Sequence, residues 1–174
     1  MCEGSDKGLR FFSSPCDVSY LEHPGPRGTI LTATTDAYRI VQRNPRGDTI
    51  AVFQGTTPTL PIGDAEWDSV TVELSNYLAR DPAAKCNTRT RTRPSHKPAI
   101  RAFFWSSDGR LCVERYDSAG FAFDVFDERG TLLATLKAPD RVAEIEPHVS
   151  ENLLALVTVS PEGAHIVRGY AIGH

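Results

Sequence analysis

The feature that most constrains this chain is a stretch of about 40 residues, 99–139, in which four short apolar runs alternate with three turn signals. The runs cover residues 99–105, 110–116, 121–126 and 131–136. The turns are Ser107-Asp108-Gly109, Asp117-Ser118-Ala119-Gly120 and Asp127-Glu128-Arg129-Gly130. Each run is rich in β-branched and aromatic residues and is too short for a helix, so each predicts a strand. Strands that reverse at every turn form an antiparallel meander. A four-stranded meander of about 40 residues has the size of one β-propeller blade.

An earlier stretch repeats this pattern. Residues 18–23, 29–34, 38–43 and 49–54 predict four further strands, with Pro24-Gly25-Pro26-Arg27-Gly28 and Asn44-Pro45-Arg46-Gly47 as turns. Residues 38–53 align without gaps on 121–136. Tyr38 meets Phe121, Ile40 meets Phe123, Arg46-Gly47 meets Arg129-Gly130, Ile50-Ala51 meets Leu133-Ala134, and Phe53 meets Leu136. The matched glycines follow from hairpin geometry, which needs a residue at ease with positive φ. A third set of strands is expected at residues 141–145, 152–159 and 165–172, with Ser160-Pro161-Glu162-Gly163 as a turn. That set is one strand short of a blade, and residues 9–13 are the candidate for the missing strand.

The offset between the two repeats is just over 80 residues, and the excess is an insert at 55–98. Within it, residues 64–80 carry Trp67, Val70, Leu74, Tyr77 and Leu78 at helical spacing, with Asp64 placed to cap the start and Asp81-Pro82 to stop it. This helix is expected to pack across a sheet face and bury Trp67. Residues 85–97 then hold five basic residues and no acid or aromatic. Arg89, Arg91, Arg93 and Lys97 are the candidates for anion binding there, against the plainer reading of a solvated loop. Nucleic acid is not the expected partner, because no aromatic is present to stack on bases.

With 174 residues, 40% apolar content and a net charge of −3, the chain has the composition of a globular domain. No apolar run approaches the length of a membrane span. As written, the start shows no signal peptide, so a cytoplasmic location is expected; a start further upstream would make a periplasmic or secreted one the expectation. Residues 1–17 are expected to be disordered or loosely attached, and residues 18–174 to form the domain. Cys2, Cys16, Cys86 and Cys112 show no zinc-ligand spacing. A Cys2–Cys16 bridge is conceivable in an oxidising compartment, and Cys112 has the setting of a small core residue.

Several strings resemble the C-terminal half of bacterial six-bladed β-propeller proteins of the NHL-like group. They are Tyr38-Arg39-Ile40 with Asn44-Pro45-Arg46-Gly47, the helical insert opening Gly63-Asp64-Ala65-Glu66, Lys97-Pro98-Ala99-Ile100, Asp108-Gly109-Arg110-Leu111, and Phe123-Asp124-Val125-Phe126-Asp127-Glu128-Arg129-Gly130. The resemblance covers roughly residues 18–172. It implies a propeller of six blades in a chain about twice this length, commonly exported. Two copies of this chain could close one ring as a homodimer.

The expected fold is therefore all-β, a partial β-propeller of about three four-stranded antiparallel blades with one inserted α-helix. Catalytic constellations are missing. There is no G-x-S-x-G, no H-E-x-x-H and no phosphate loop. The five histidines are scattered, and Glu144 with Glu146 reads as a solvated pair rather than an acid–base couple. No metal site or cofactor is assigned. The candidate ligand-binding residues are Arg101, Phe103 and Trp105, which would alternate onto one face of a channel-lining strand. Packing between blades is the competing, and favoured, role for the two aromatics. The expected function is a non-enzymatic binding or scaffold module for a protein or small ligand. The alternative, taken from the resemblance, is a propeller-type hydrolase or lyase with an axial metal.

Overall fold

A computed structural model of the chain describes residues 2–10, 16–58, 60–86, 93–106, 108–118, 120–138, 141–142, 145–150 and 152–172. In chain order the strands are β1 (Cys2–Glu3), β2 (Leu9–Arg10), β3 (Tyr20–Pro24), β4 (Ile30–Thr34), β5 (Arg39–Arg43), β6 (Thr49–Gln54), β7 (Lys85–Cys86), β8 (Ala102–Trp105), β9 (Leu111–Asp117), β10 (Gly120–Phe126), β11 (Leu132–Ala138), β12 (His148–Ser150), β13 (Leu153–Val159) and β14 (His165–Ala171). The helix α1 spans Asp64–Arg80. The chain divides into two compact units.

The larger unit, Val18–Leu60 with Pro98–His174, is the partial β-propeller. Its three sheets are antiparallel, in the orders β3-β4-β5-β6, β8-β9-β10-β11 and β12-β13-β14. The innermost strands β3 and β8 lie beside one another. Period-2 alternation decides what lies between the sheets. Leu111, Val113 and Phe126 of the second sheet pack with Leu31, Ile40 and Phe53 of the first. Cys112, Phe123 and Val125 of that same second sheet pack with Leu154 and Leu156 of the third. The second sheet is thus buried on both faces, which is why its strands read as nearly continuous apolar runs.

The repeat extends to backbone detail. Both outer hairpins carry a β-bulge at the same place, where the register slips between Gln42 and Arg43 in one and between Val125 and Phe126 in the other. The extra residues are Ile50 and Leu133, which the sequence alignment had paired. Four hairpin turns share one design. A residue at the first position bonds its backbone N–H to the carbonyl four residues on, and its carbonyl accepts from a glycine three residues on. This holds at Asn44, Ser106, Asp127 and Ser160. The glycines Gly47, Gly109, Gly130 and Gly163 sit at φ between +84° and +90°. The first side chain closes the turn: Asn44 Oδ1 accepts from the N–H groups of Arg46 and Asp48, and Asp127 Oδ1 from those of Arg129 and Thr131.

The third sheet departs from expectation at its start. Residues 141–142 are not a strand, and the first strand is His148–Ser150. Arg141 Nη1 donates to the carbonyls of Val142 and Ile145, which ties the described ends of this segment to its side chain; residues 143–144 lie outside the described residues. Of residues 9–13, the candidate for the missing strand, Leu9–Arg10 pairs with Cys2–Glu3 instead, and 11–13 lie outside the described residues.

The smaller unit, Met1–Asp17 with Pro61–Lys97, holds α1 and a sheet in the order β2-β1-β7. Cys2 lies opposite Cys86 in this sheet, and the two form a disulfide. The bridge therefore joins Cys2 to Cys86 and not to Cys16, which is a buried thiol, as is Cys112. The helix has the bounds its periodicity dictates, with Gly63 rather than Asp64 at the N-cap. Trp67, Leu74, Tyr77 and Leu78 are half-buried. No described helix is long and apolar enough to cross a membrane.

Two turn substitutions test this account. A Cβ on Gly130 would stand 3.2 Å from the carbonyl oxygen of Val52, whereas one on Gly47 meets nothing within 4 Å. Gly47→Ala should cost the roughly 1–2 kcal/mol of a left-handed alanine, and Gly130→Ala measurably more; equal urea midpoints for the two variants would contradict the contact. Asp127 adds a pH signature. The backbone N–H of Thr131 and then that of Arg129 hold its carboxyl below the usual range. Its contribution is present above the unfolded-state value and is lost as pH falls through the lower folded-state value. Asn44 shows that an amide also closes this turn. The stability deficit of Asp127→Asn at neutral pH should therefore shrink below about pH 4, measured by denaturation at stepped pH.

Candidate functional site

A cavity in the larger unit lies between its first two sheets, at the end where the repeated turns cluster. Its volume is about 260 Å³. Arg27 and Thr29 come from the β3–β4 connection, Gln42 from β5, Ile50 from β6, Trp105 from β8, and Glu128 from the β10–β11 turn. Ile50 is the bulge residue of its hairpin, 53% exposed, and the bulge sets it on the pocket wall. Trp105 is held by an edge-to-face contact with Phe53, ring centroids 5.9 Å apart.

The polar floor has a fixed orientation. The Thr29 hydroxyl donates its one hydrogen to the carbonyl of Pro26 at 2.7 Å. It can then only accept from Gln42, whose Nε2 lies 2.9 Å away. That fixes the amide and leaves Gln42 Oε1 with no donor among the described residues, although Gln42 is only 5% exposed. Oε1 is not sealed in the interior, since Thr158 Oγ1 is the only buried side-chain polar atom without a partner among the described residues; it opens onto the pocket, where a ligand or water can reach it.

Arg27 and Glu128 supply one charge of each sign. Both are exposed, and neither makes an ion pair or side-chain hydrogen bond with any described residue. Arg27 holds φ 57° and ψ 34°, inside Gly25-Pro26-Arg27-Gly28. A left-handed arginine costs of the order of 1 kcal/mol relative to glycine.

The residues singled out from sequence are placed as follows. Trp105 lines this pocket. Phe103 is in the core between the first two sheets, 6.4 Å from the His23 ring. Arg101 donates from Nη1 to Glu114 Oε1 at 2.9 Å and lies 4.6 Å over the Phe121 ring. Arg93 pairs with Asp64 and donates to the Ile62 carbonyl, and Lys97 lies 2.7 Å from Glu66. Arg89, Arg91 and Glu144 lie outside the described residues. Among the described residues no group of three His, Cys, Asp or Glu side chains is placed to hold a metal ion. Burial pushes the Cys112 thiol well up, which makes it a poor nucleophile.

Two buried carboxylates flank the pocket's sheets without reaching it. Glu114, fully buried, accepts from Arg101 and takes a side-on pair of bonds from Arg141 Nε and Nη2. Asp124 accepts from Arg115 Nε at 2.8 Å, from the Thr135 hydroxyl at 2.6 Å and from the Tyr38 hydroxyl at 2.7 Å. Burial first, and this bond second, push the Tyr38 hydroxyl's pKa far up, so it stays a donor.

Sequence reasoning missed Arg27, Thr29, Gln42, Ile50 and Glu128. The repeat held one usable signal: Gln42 aligns with Val125, a polar residue where the other copy is apolar. No protein-family model matches the chain, and no curated protein matches it either.

Replacing Glu114 with Ala should cost about 3–5 kcal/mol, because it strands buried guanidinium groups. Glu114→Gln, which keeps an acceptor, should cost less. A Glu114→Ala variant with an unchanged urea midpoint would refute this role.

Proposed function

We propose that this protein is a non-enzymatic binding module and that the pocket between its first two sheets receives a small ligand. The observation that carries this reading is Gln42, whose Oε1 has no donor among the described residues and opens onto the pocket, set beside an aromatic wall in a pocket of about 260 Å³. That combination of apolar walls and a few convergent polar groups is what small-molecule sites have in common. The buried carboxylates are committed to arginines within the fold, so they are not poised as acids or bases. The hydrolase or lyase reading drawn from the NHL-like resemblance needs an axial metal, and no described set of side chains favours one. The Cys2–Cys86 bridge fits an oxidising compartment, which supports the periplasmic or secreted placement over the cytoplasmic one.

The test uses the full chain with Trp67→Phe, which leaves Trp105 as the only indole. A panel of small polar metabolites is screened for changes in melting temperature and in Trp105 emission. At least one compound should stabilise the protein and alter its emission. Ile50→Glu, which places a charge on the pocket wall at an exposed position, should abolish both effects, and Val167→Glu on the third sheet should not. A panel without a binder, or binding that survives Ile50→Glu, overturns the reading.

A further inference from the structure

We infer that the pocket takes a small zwitterion of the α-amino-acid type, with its carboxylate on Arg27 and its ammonium on Glu128 and the Oε1 of Gln42. Its apolar body would lie against Trp105 and Ile50. This rests on the reading of the pocket as the binding site and adds the chemical class of the ligand.

Three observations select the class. First, the lining offers one cation and one anion, Arg27 and Glu128, neither of them engaged by a described residue. A simple anion would satisfy Arg27 and be repelled by Glu128, and a simple cation would do the reverse. A neutral sugar would use neither charge. A ligand carrying both signs meets both. Second, Gln42 presents an acceptor at Oε1: one Nε2 hydrogen goes to Thr29, whose own hydrogen goes to Pro26, and this fixes which end of the amide is the oxygen, while the second Nε2 hydrogen remains a donor. A carboxylate cannot fill that position, since it has no hydrogen to donate, whereas an ammonium can. Third, about 260 Å³ lies below the roughly 300–1,000 Å³ of drug-sized sites. A single amino-acid-sized molecule with an apolar side chain suits that space and the Trp105 wall.

Arg27 also has the side chain such a ligand requires. Its planar fork matches a carboxylate with two parallel hydrogen bonds, which a lysine cannot do. It occupies a left-handed backbone position that glycine would take more easily, so Arg27→Gly separates recognition from stability. The variant should melt no lower than the parent while losing the ligand.

The experiment is calorimetric titration of the full chain with four probes: L-phenylalanine, its amide, its N-acetyl derivative and glucose. L-phenylalanine should bind. The amide lacks the carboxylate and the N-acetyl derivative lacks the ammonium, so each should bind weaker by about tenfold or more. Arg27→Gly should weaken L-phenylalanine about tenfold and leave the amide unchanged. Glu128→Gln should weaken L-phenylalanine and the amide alike and leave the N-acetyl derivative unchanged. If the derivatives bind as well as the parent, or glucose binds in an Ile50→Glu-sensitive manner while L-phenylalanine does not, the zwitterion is wrong and the pocket stands. If none of the four probes binds and the metabolite panel also yields no binder, both fall together.

Discussion

Buried charge on both faces of the second sheet is the constraint on which the larger unit depends. Glu114 on β9 and Asp124 on β10 occupy pleat positions that point to opposite faces, since Glu114 pairs with Phe123 and Asp124 with Val113. Each is nearly or wholly removed from water. A carboxylate in that setting survives as an anion only with a cation and further hydrogen bonds in place. The partners come partly from beyond the sheet. Arg141, on the segment leading to the third sheet, closes on Glu114, and Tyr38, just before the inner strand β5 of the first sheet, closes on Asp124. An apolar interface alone lets one sheet slide on the next by a residue pair. A bidentate guanidinium on a buried carboxylate admits one placement. The two ionic clusters therefore act on register, and the apolar layers around them supply most of the driving force.

The pocket arises where the repeat is broken. The two outer hairpins share a bulge, a turn and a matching set of core residues. At the bulge, however, the first hairpin has Gln42 where the second has Val125. The valine is buried against the third sheet. A glutamine at the corresponding place brings a polar group that hydrocarbon cannot satisfy, and the neighbouring β3–β4 connection supplies Thr29 for one end of it only. The same connection carries a left-handed arginine. The left-handed arginine acts against local stability, and both departures line the same cavity. A polar break in the repeat beside a strained backbone position, inside a scaffold otherwise consistent with its sequence, is what the proposed binding site rests on.

Much of the fold was legible because it rests on local rules. Period-2 alternation gave the strands of the first two sheets to within a few residues at each end. The helix was marked by its apolar spacing and by Asp81-Pro82 and has the bounds expected of it, although its first cap is Gly63. The N/S/D-x-x-G turns were visible as composition before they were visible as geometry. What was not legible was long-range. The pairing of Cys2 with Cys86 joins residues 84 apart in sequence, and no local pattern at Cys2 distinguishes Cys86 from Cys16. Arg141 looked like the start of a strand, because nothing in its neighbourhood reveals a buried carboxylate 27 residues earlier that claims its side chain. Trp105 was visible as an aromatic on an inner strand. Whether it faced core or cavity depended on Ile50 and Glu128, from two other hairpins.

The site is hard to see in sequence for a related reason. A catalytic motif concentrates its chemistry within a few residues, because one turn or helix end must hold several groups at bonding distance. Here the groups are spread over separate loops and strands of two sheets, and each is individually ordinary: an exposed arginine, an exposed glutamate, a threonine in a turn. Only the stacking of the sheets brings them together, and that stacking is set by Asp124, Tyr38 and the apolar layer around Phe53. The ligand chemistry we propose therefore follows from what remains open once those interfaces have formed, namely the free end of the Gln42 amide and one charge of each sign.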